Sequence, residues 1–157
     1  MEHHLSTRER NNQFQLKQGD IFTTQLSTIL VTINVVGAMG AGIALAAKQR
    51  YPEVYRRYQR DLKLQRIRKD SLMLYRDVAD GRNILLFPSK IHFKDASPFW
   101  LVEGNLRLLA ETYKRLGITS LAMVLPGASL GRLDPDRIMD LCKKYLPTDI
   151  PIEIWKK

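Results

Sequence analysis

The sequence predicts an α/β domain with helices on both faces of a sheet. Runs of β-branched and apolar residues alternate with helical stretches along the chain, the pattern of layered α/β folds. Its 157 residues fit one domain, and an apolar content of 45% suffices for one core. Neither an internal repeat nor a long linker interrupts the alternation.

Residues 1–13 are polar and charged and read as a flexible arm, which leaves 14–157 as the domain. FQLKQGDIF, 14–22, alternates and reads as a strand, and TILVTINVV, 28–36, reads as a central strand. A helix over 39–50 follows, favoured by Ala44, Ala46 and Ala47. Pro52 suits the first turn of a helix over 52–66. Residues 71–78 and 83–89 read as strands joined by a turn at Asp80-Gly81. The next helix is long, with Ser97 as N-cap, Pro98 in the first position and Gly117 past the end. A strand over 119–126, a helix from Asp134 to Tyr145 and a strand over 151–155 complete the order.

Composition narrows the function classes. No stretch reaches the roughly 18 consecutive apolar residues of a membrane helix. Met1 to Asn12 lacks the apolar core of a signal peptide. Cys142 is the single cysteine, sits in a helical stretch and reads as a buried inert thiol. These features predict a cytoplasmic protein, a monomer with no membrane partner. The histidines and the cysteine are not at metal-ligand spacing, since His3 and His4 lie in the arm, so no metal is implied. The net charge of +9 and pI near 9.8 favour polyanionic partners. Much of the excess lies in Arg50, Arg56, Arg57, Arg60, Lys63, Arg66, Arg68 and Lys69, opposed by Glu53 and Asp61. Tyr51, Tyr55, Tyr58 and Leu62 recur at helical spacing as a buried face. The basic residues then form either a solvated face or a nucleic-acid contact.

Two glycine loops and a lysine carry the chemistry. Gly37 to Gly42 reads G-x-x-G-x-G, which is neither the dinucleotide fingerprint nor a P-loop. It is either a tight strand–helix turn or an anion site, where glycines admit a ligand and helix N–H groups meet it. LPGASLGRLDPDRI, 125–138, also leaves a strand through glycines and enters a helix. Two such loops at strand carboxyl ends suggest two walls of one crevice, suited to a diphosphate. Asp20 and Asn34 are placed to meet an adenine amino group and ribose hydroxyls, or else act as turn and cap residues. Lys90 ends an apolar strand after Pro88 and Ser89. Desolvation and the nearby His92 and Lys94 would depress its pKa and make it a nucleophile toward a sugar carbon. The other reading is a surface lysine or a phosphate partner.

QGDIF (18–22), VTINVVGAMGAGIALAAKQRYPEVYRRY (31–58), LLFPSKIHF (85–93) and LPGASLGRLD (125–134) occur in the order seen in macrodomains. Within them the chain resembles the branch of the DNA ADP-ribosyl glycohydrolase antitoxins and the terminal ADP-ribose protein glycohydrolase. The resemblance implies a three-layer α/β/α fold around a mixed six-stranded sheet, with ADP-ribose in the crevice as ligand and product and no cofactor. It implies that Asp20 and the Ile21 amide bind adenine and that Asn34 orients the distal ribose. Gly40, Ala41, Gly42 and Ile43 line one side of the ligand. Gly127, Ser129, Leu130, Gly131 and Arg132 wrap the diphosphate from the other. Lys90 is implied as the catalytic residue, acting at the anomeric carbon of the distal ribose. The implied substrate is ADP-ribosylated DNA, with ADP-ribosylated glutamate in proteins as the alternative, and the implied partner is a DNA ADP-ribosyltransferase toxin.

There are departures from that pattern. Ser129 and Arg132 replace glycines of the antitoxins, and Ala41 stands where they often carry lysine. Gly131 stands where the terminal ADP-ribose enzyme carries a helper aspartate. Asp134 and His92 are the candidate acid/base partners left to Lys90. A non-catalytic reader of ADP-ribose, or a nucleic-acid-binding protein with a relic pocket, are the other classes consistent with the sequence.

Overall fold

The computed structural model describes residues 14–157, so the expected arm lies outside the described residues. The strands are β1 (Gln15–Gln18), β2 (Thr28–Asn34), β3 (Met73–Tyr75), β4 (Asn83–Lys90), β5 (Leu121–Met123) and β6 (Ile152–Lys156). They form one six-stranded sheet of order β1-β6-β5-β2-β4-β3. All neighbouring pairs are parallel except β3–β4, so the sheet is mixed, as expected. The helices are α1 (Gly42–Arg50), α2 (Pro52–Lys63), α3 (Phe99–Leu116) and α4 (Pro135–Tyr145).

The period of two along a strand divides the interior into two cores. Ile29, Val31 and Ile33 of β2, with Ile84 and Leu86 of β4, pack under α1 and α2. Leu30, Leu85 and Phe87, with Met123 and Ile154, pack under α3 and α4. The result is three layers, with the apolar central strands buried on both faces. Among the described residues no helix is long and apolar enough to cross a membrane. Cys142 lies in the α3/α4 core, where burial pushes its thiol up to about 12.

Several boundaries differ from the sequence expectation for identifiable reasons. The first strand ends at Gln18, because Asp20 accepts from the Phe22 N–H at 2.9 Å and caps a short 3₁₀ turn, Ile21–Thr23. The helix expected from Met39 begins at Gly42, since residues 35–40 are held as a loop by Asn34. The helix expected through residue 66 stops at Lys63, and Gln65 turns away with φ +58°. Ser97 is not a helix cap. Pro98 occupies that position without a side-chain bond, and the Ser97 Oγ is buried without a hydrogen-bond partner. Asp134 does cap α4, accepting from the Asp136 N–H at 3.0 Å.

The basic helix α2 keeps part of its charge for the fold. Its buried Asp61 accepts from the Tyr75 hydroxyl at 2.7 Å and pairs with Arg60 at 3.3 Å and Arg66 at 3.4 Å. Arg57 lies 4.3 Å over the Tyr75 ring. Of the expected buried face, Tyr51 and Tyr58 are fully covered, while Tyr55 and Leu62 are half-buried.

Candidate functional site

β1, β6, β5, β2 and β4 run parallel, so their carboxyl ends share one edge of the sheet. Asp20 follows β1, the first glycine loop follows β2, Lys90 closes β4 and the second glycine loop follows β5, all at that edge. A register shift sharpens the placement. Ile33 aligns with Pro88, but Asn34 aligns with Lys90, so Ser89 is skipped and the two polar residues stand side by side.

Asn34 organises the first loop. Its Nδ2 donates to the Ala38 carbonyl at 2.7 Å, and its Oδ1 accepts from the Val36 N–H at 3.1 Å. The second N–H of that amide is left for a further acceptor. Tyr58, from α2, props the same loop: its hydroxyl donates to the Asn34 carbonyl at 2.8 Å and accepts from the Gly37 N–H at 3.2 Å. Burial pushes this phenol up to about 12, so it keeps its proton. Met39 is buried as an anchor, while Gly40, Ala41 and Gly42 are exposed and Ile43 is half-buried. α1 starts here with no side-chain cap, which leaves first-turn N–H groups outward and suited to an anion. Gly42 has φ +57°, and a Cβ on it would stand 3.1 Å from the Leu130 side chain. The two glycine loops therefore face each other, as the crevice reading expects.

In the second loop Ser129 and Leu130 are exposed and Gly131 is buried. A Cβ on Gly131 would lie 2.1 Å from Ser97 Oγ and 2.5 Å from the Gly127 carbonyl, so no side chain fits there. The loop is tied down by Ser97 N–H to the Gly131 carbonyl at 2.9 Å and Leu133 N–H to the Gly127 carbonyl at 2.9 Å. Arg132 is exposed in the left-handed region, φ +62°, and its guanidinium donates to the Lys94 carbonyl at 3.2 Å.

Lys90 is half-buried, and its Nζ donates to the Phe93 carbonyl at 3.4 Å. Burial first, and then the Arg132 charge, hold its amine below the usual lysine range, against the opposing pull of Asp95. The direction agrees with expectation, but the neighbours do not: Arg132 acts, rather than His92 or Lys94. His92 instead accepts from the Lys94 N–H at 3.1 Å and stacks on Phe93, with ring centroids 4.4 Å apart. With Asp134 engaged as a cap, the carboxylate that bears on Lys90 is Asp95. Asp95 and the Tyr58 prop escape sequence reasoning. Asp95 stands in an aperiodic loop, and helical spacing places Tyr58 in the core without naming what its hydroxyl meets. At the far end Asp20 is exposed, with one carboxylate oxygen on the Phe22 N–H, and Ile21 heads the 3₁₀ turn, where an N–H has no intrahelical acceptor.

No protein-family model matches the chain. Among curated proteins it is 33% identical over 158 residues, 89% of the chain, to a DNA ADP-ribosyl transferase-DNA ADP-ribosyl glycohydrolase fusion protein of Thermosipho africanus. It is 31% identical over 118 residues, 74% of the chain, to a DNA ADP-ribosyl glycohydrolase of Mycobacterium tuberculosis. The matches cover 41% and 34% of those proteins, so the chain spans well under half the length of the curated relatives it matches. Among solved structures, Thermosipho africanus DarTG in complex with ADP-ribose superposes with TM-score 0.83 at 33% identity, over 90% of this chain and 41% of that one. The macrodomain of Mycobacterium tuberculosis DarG does so with TM-score 0.79 at 26% identity, over 92% of this chain and 99% of that one. With a mixed six-stranded sheet between two helical layers, two glycine loops meeting at its carboxyl edge and these relatives, the chain belongs to the macrodomains, and among them to the DarG type.

Proposed function

We propose that this domain is an ADP-ribosyl glycohydrolase that releases ADP-ribose from DNA, with Lys90 as the acting residue. The observation that carries this is Lys90 itself: an amine with a lowered pKa, aligned with Asn34 at the meeting point of two anion-suited loops. Four strand spacings separate the ends of β1 and β4, roughly 19 Å. That is a span for an extended ligand, with adenine at Asp20 and Ile21 and the distal ribose at Asn34 and Lys90. The diphosphate sits between the two loops, under the amides of Gly40 to Ile43 on one side and of Gly127 to Gly131 on the other, with the Arg132 guanidinium beside it.

In the reaction the Nζ lone pair of Lys90 attacks the anomeric carbon. A C–N bond forms to the lysine as the bond to the DNA base breaks; its electron pair leaves with the base, which takes up the proton shed by the new ammonium. Water oxygen then bonds the anomeric carbon as the C–N bond to the lysine breaks, and one of its protons returns to Nζ, restoring the amine and releasing ADP-ribose. Arg132 keeps the amine available by disfavouring its protonated form. A relative named for both transferase and glycohydrolase in one chain makes a DNA ADP-ribosyltransferase the expected partner.

The test is release of ADP-ribose from ADP-ribosylated single-stranded DNA and from glutamate-ADP-ribosylated protein, with wild type and Lys90→Ala. Lysine-dependent release from DNA alone is expected. Release from protein alone would move the substrate class. A second reading has one observation behind it. Gly131 admits no side chain, so no aspartate can stand at that position to assist. A domain that binds ADP-ribose by calorimetry yet releases it from neither substrate is a reader.

A further inference from the structure

The rim of the carboxyl edge carries apolar surface that the ADP-ribose contacts do not absorb. Val36, Ile91 and Phe93 are exposed large apolar side chains on the loops that leave β2 and β4 at this edge, and the exposed Leu130 side chain adjoins them from the loop assigned to the diphosphate. Such a concentration beside a cleft marks a contact surface. Phe93 is the member with a defined relation to the site. It is 48% exposed, its carbonyl accepts from Lys90 Nζ at 3.4 Å, and its ring stacks on His92 at an interplanar angle of 25°. Lys94 Nζ lies 5.8 Å from the same ring, and the Lys94 carbonyl is bonded to Arg132. An exposed phenyl ring stacked on a half-buried imidazole, with cations close by and next to the reacting amine, has the chemistry that receives a nucleobase and its phosphate: a π face for the base, positive charge for the backbone. A polypeptide substrate offers no matching ring at the bond to be cut.

We propose that Phe93, backed by His92, is the platform on which the nucleobase bearing ADP-ribose stacks, with Lys94 meeting the adjoining phosphate. This rests on the reading of the site as one that takes ADP-ribosylated DNA. Phe93 here is a specificity-determining residue; the bond-breaking step does not pass through it.

Phe93→Ala and Phe93→Trp are made in wild-type and in Lys90→Ala protein. In the first the readout is kcat/KM, in the second equilibrium affinity, so a wrong assignment of Lys90 leaves the platform test standing. The ligands are free ADP-ribose, an ADP-ribosylated single-stranded oligonucleotide and an ADP-ribosylated glutamate peptide. Phe93→Ala is expected to lower kcat/KM and affinity for the oligonucleotide roughly tenfold or more, with Phe93→Trp near wild type. ADP-ribose and peptide are expected to be unaffected. Equal losses on all three ligands would overturn the proposal, because the loop then merely supports Lys90. Undiminished oligonucleotide affinity in Phe93→Ala would overturn it too. A protein that prefers the oligonucleotide through Phe93 but turns nothing over would end the hydrolase reading and keep the platform.

Discussion

Arg132 combines three properties in one residue: a left-handed backbone, a guanidinium on the Lys94 carbonyl, and a charge that lowers the Lys90 amine. A non-glycine residue in that region is strained by about 1–2 kcal/mol. Arg132→Gly should therefore leave stability within about 1 kcal/mol of wild type, since relief of strain is offset by glycine's larger loss of freedom on folding. ADP-ribose affinity should fall at the same time, and calorimetry with a denaturant titration separates the two effects. The pH dependence follows from Lys90. A lysine whose folded pKa is depressed gives up its proton before an ordinary lysine does, near 10.4. Lysine-dependent release should rise with pH along a limb whose midpoint lies below that value. In Arg132→Gly the midpoint should move upward, because one of the two lowering causes is gone. Stability has the matching sign: the penalty of charging Lys90 is present at neutral pH and lifts as pH rises through its folded pKa toward the ordinary one.

At the scale of elements, α2 is held to β3 by a buried carboxylate rather than by apolar contact alone. Burial acts to raise the Asp61 pKa, but the Tyr75 hydroxyl together with Arg60 and Arg66 outweighs it and holds the carboxyl below its usual range. Asp61→Ala should cost about 3 kcal/mol in chemical denaturation, because the Tyr75 hydroxyl loses its buried acceptor. A carboxylate with a depressed folded pKa stabilises above its unfolded value, so the gap between wild type and variant should narrow as pH falls below about 4. The sequence made the helix legible through its tyrosine spacing, yet Asp61 reads there as one more solvated charge. The same limit recurs elsewhere. β2 and β4 were readable because continuous apolar runs with β-branched residues leave few alternatives. The starts of α1 and α3 were not: Asn34 bonds the backbone of its own loop at Val36 and Ala38 while Tyr58 braces it from α2, and the Ser97 N–H is taken by the distant Gly131 carbonyl. At the site, Lys90 and the glycines announce themselves by type and position. Arg132 and Asp95 act on Lys90 only through the folded loops, so their influence has no local signature.

At the scale of the molecule, the positive charge divides into cations that hold the fold and cations free to meet a ligand. Arg57, Arg60 and Arg66 belong largely to the first group, Lys94 and Arg132 to the edge that carries the site. Affinity for an ADP-ribosylated oligonucleotide should therefore fall with salt by roughly 0.7 logarithmic units per decade for each phosphate contacted. The slope should exceed that for free ADP-ribose, and a titration between low and moderate salt checks it. The skipped Ser89 in the pairing of β2 with β4 has a separate meaning at this scale. It makes the sheet a vernier: two strands locked by their apolar faces run in step until the last residues, where a single offset precedes the pair of amide and amine. Without Ser89 the lysine would follow Pro88 directly and still meet Asn34 in simple register, so the inserted residue sets how the amine is presented, not which residue it stands beside. One extra residue thus alters only the last step of a ladder that is otherwise continuous from Thr28 to Ile33, and that residue supplies spacing alone.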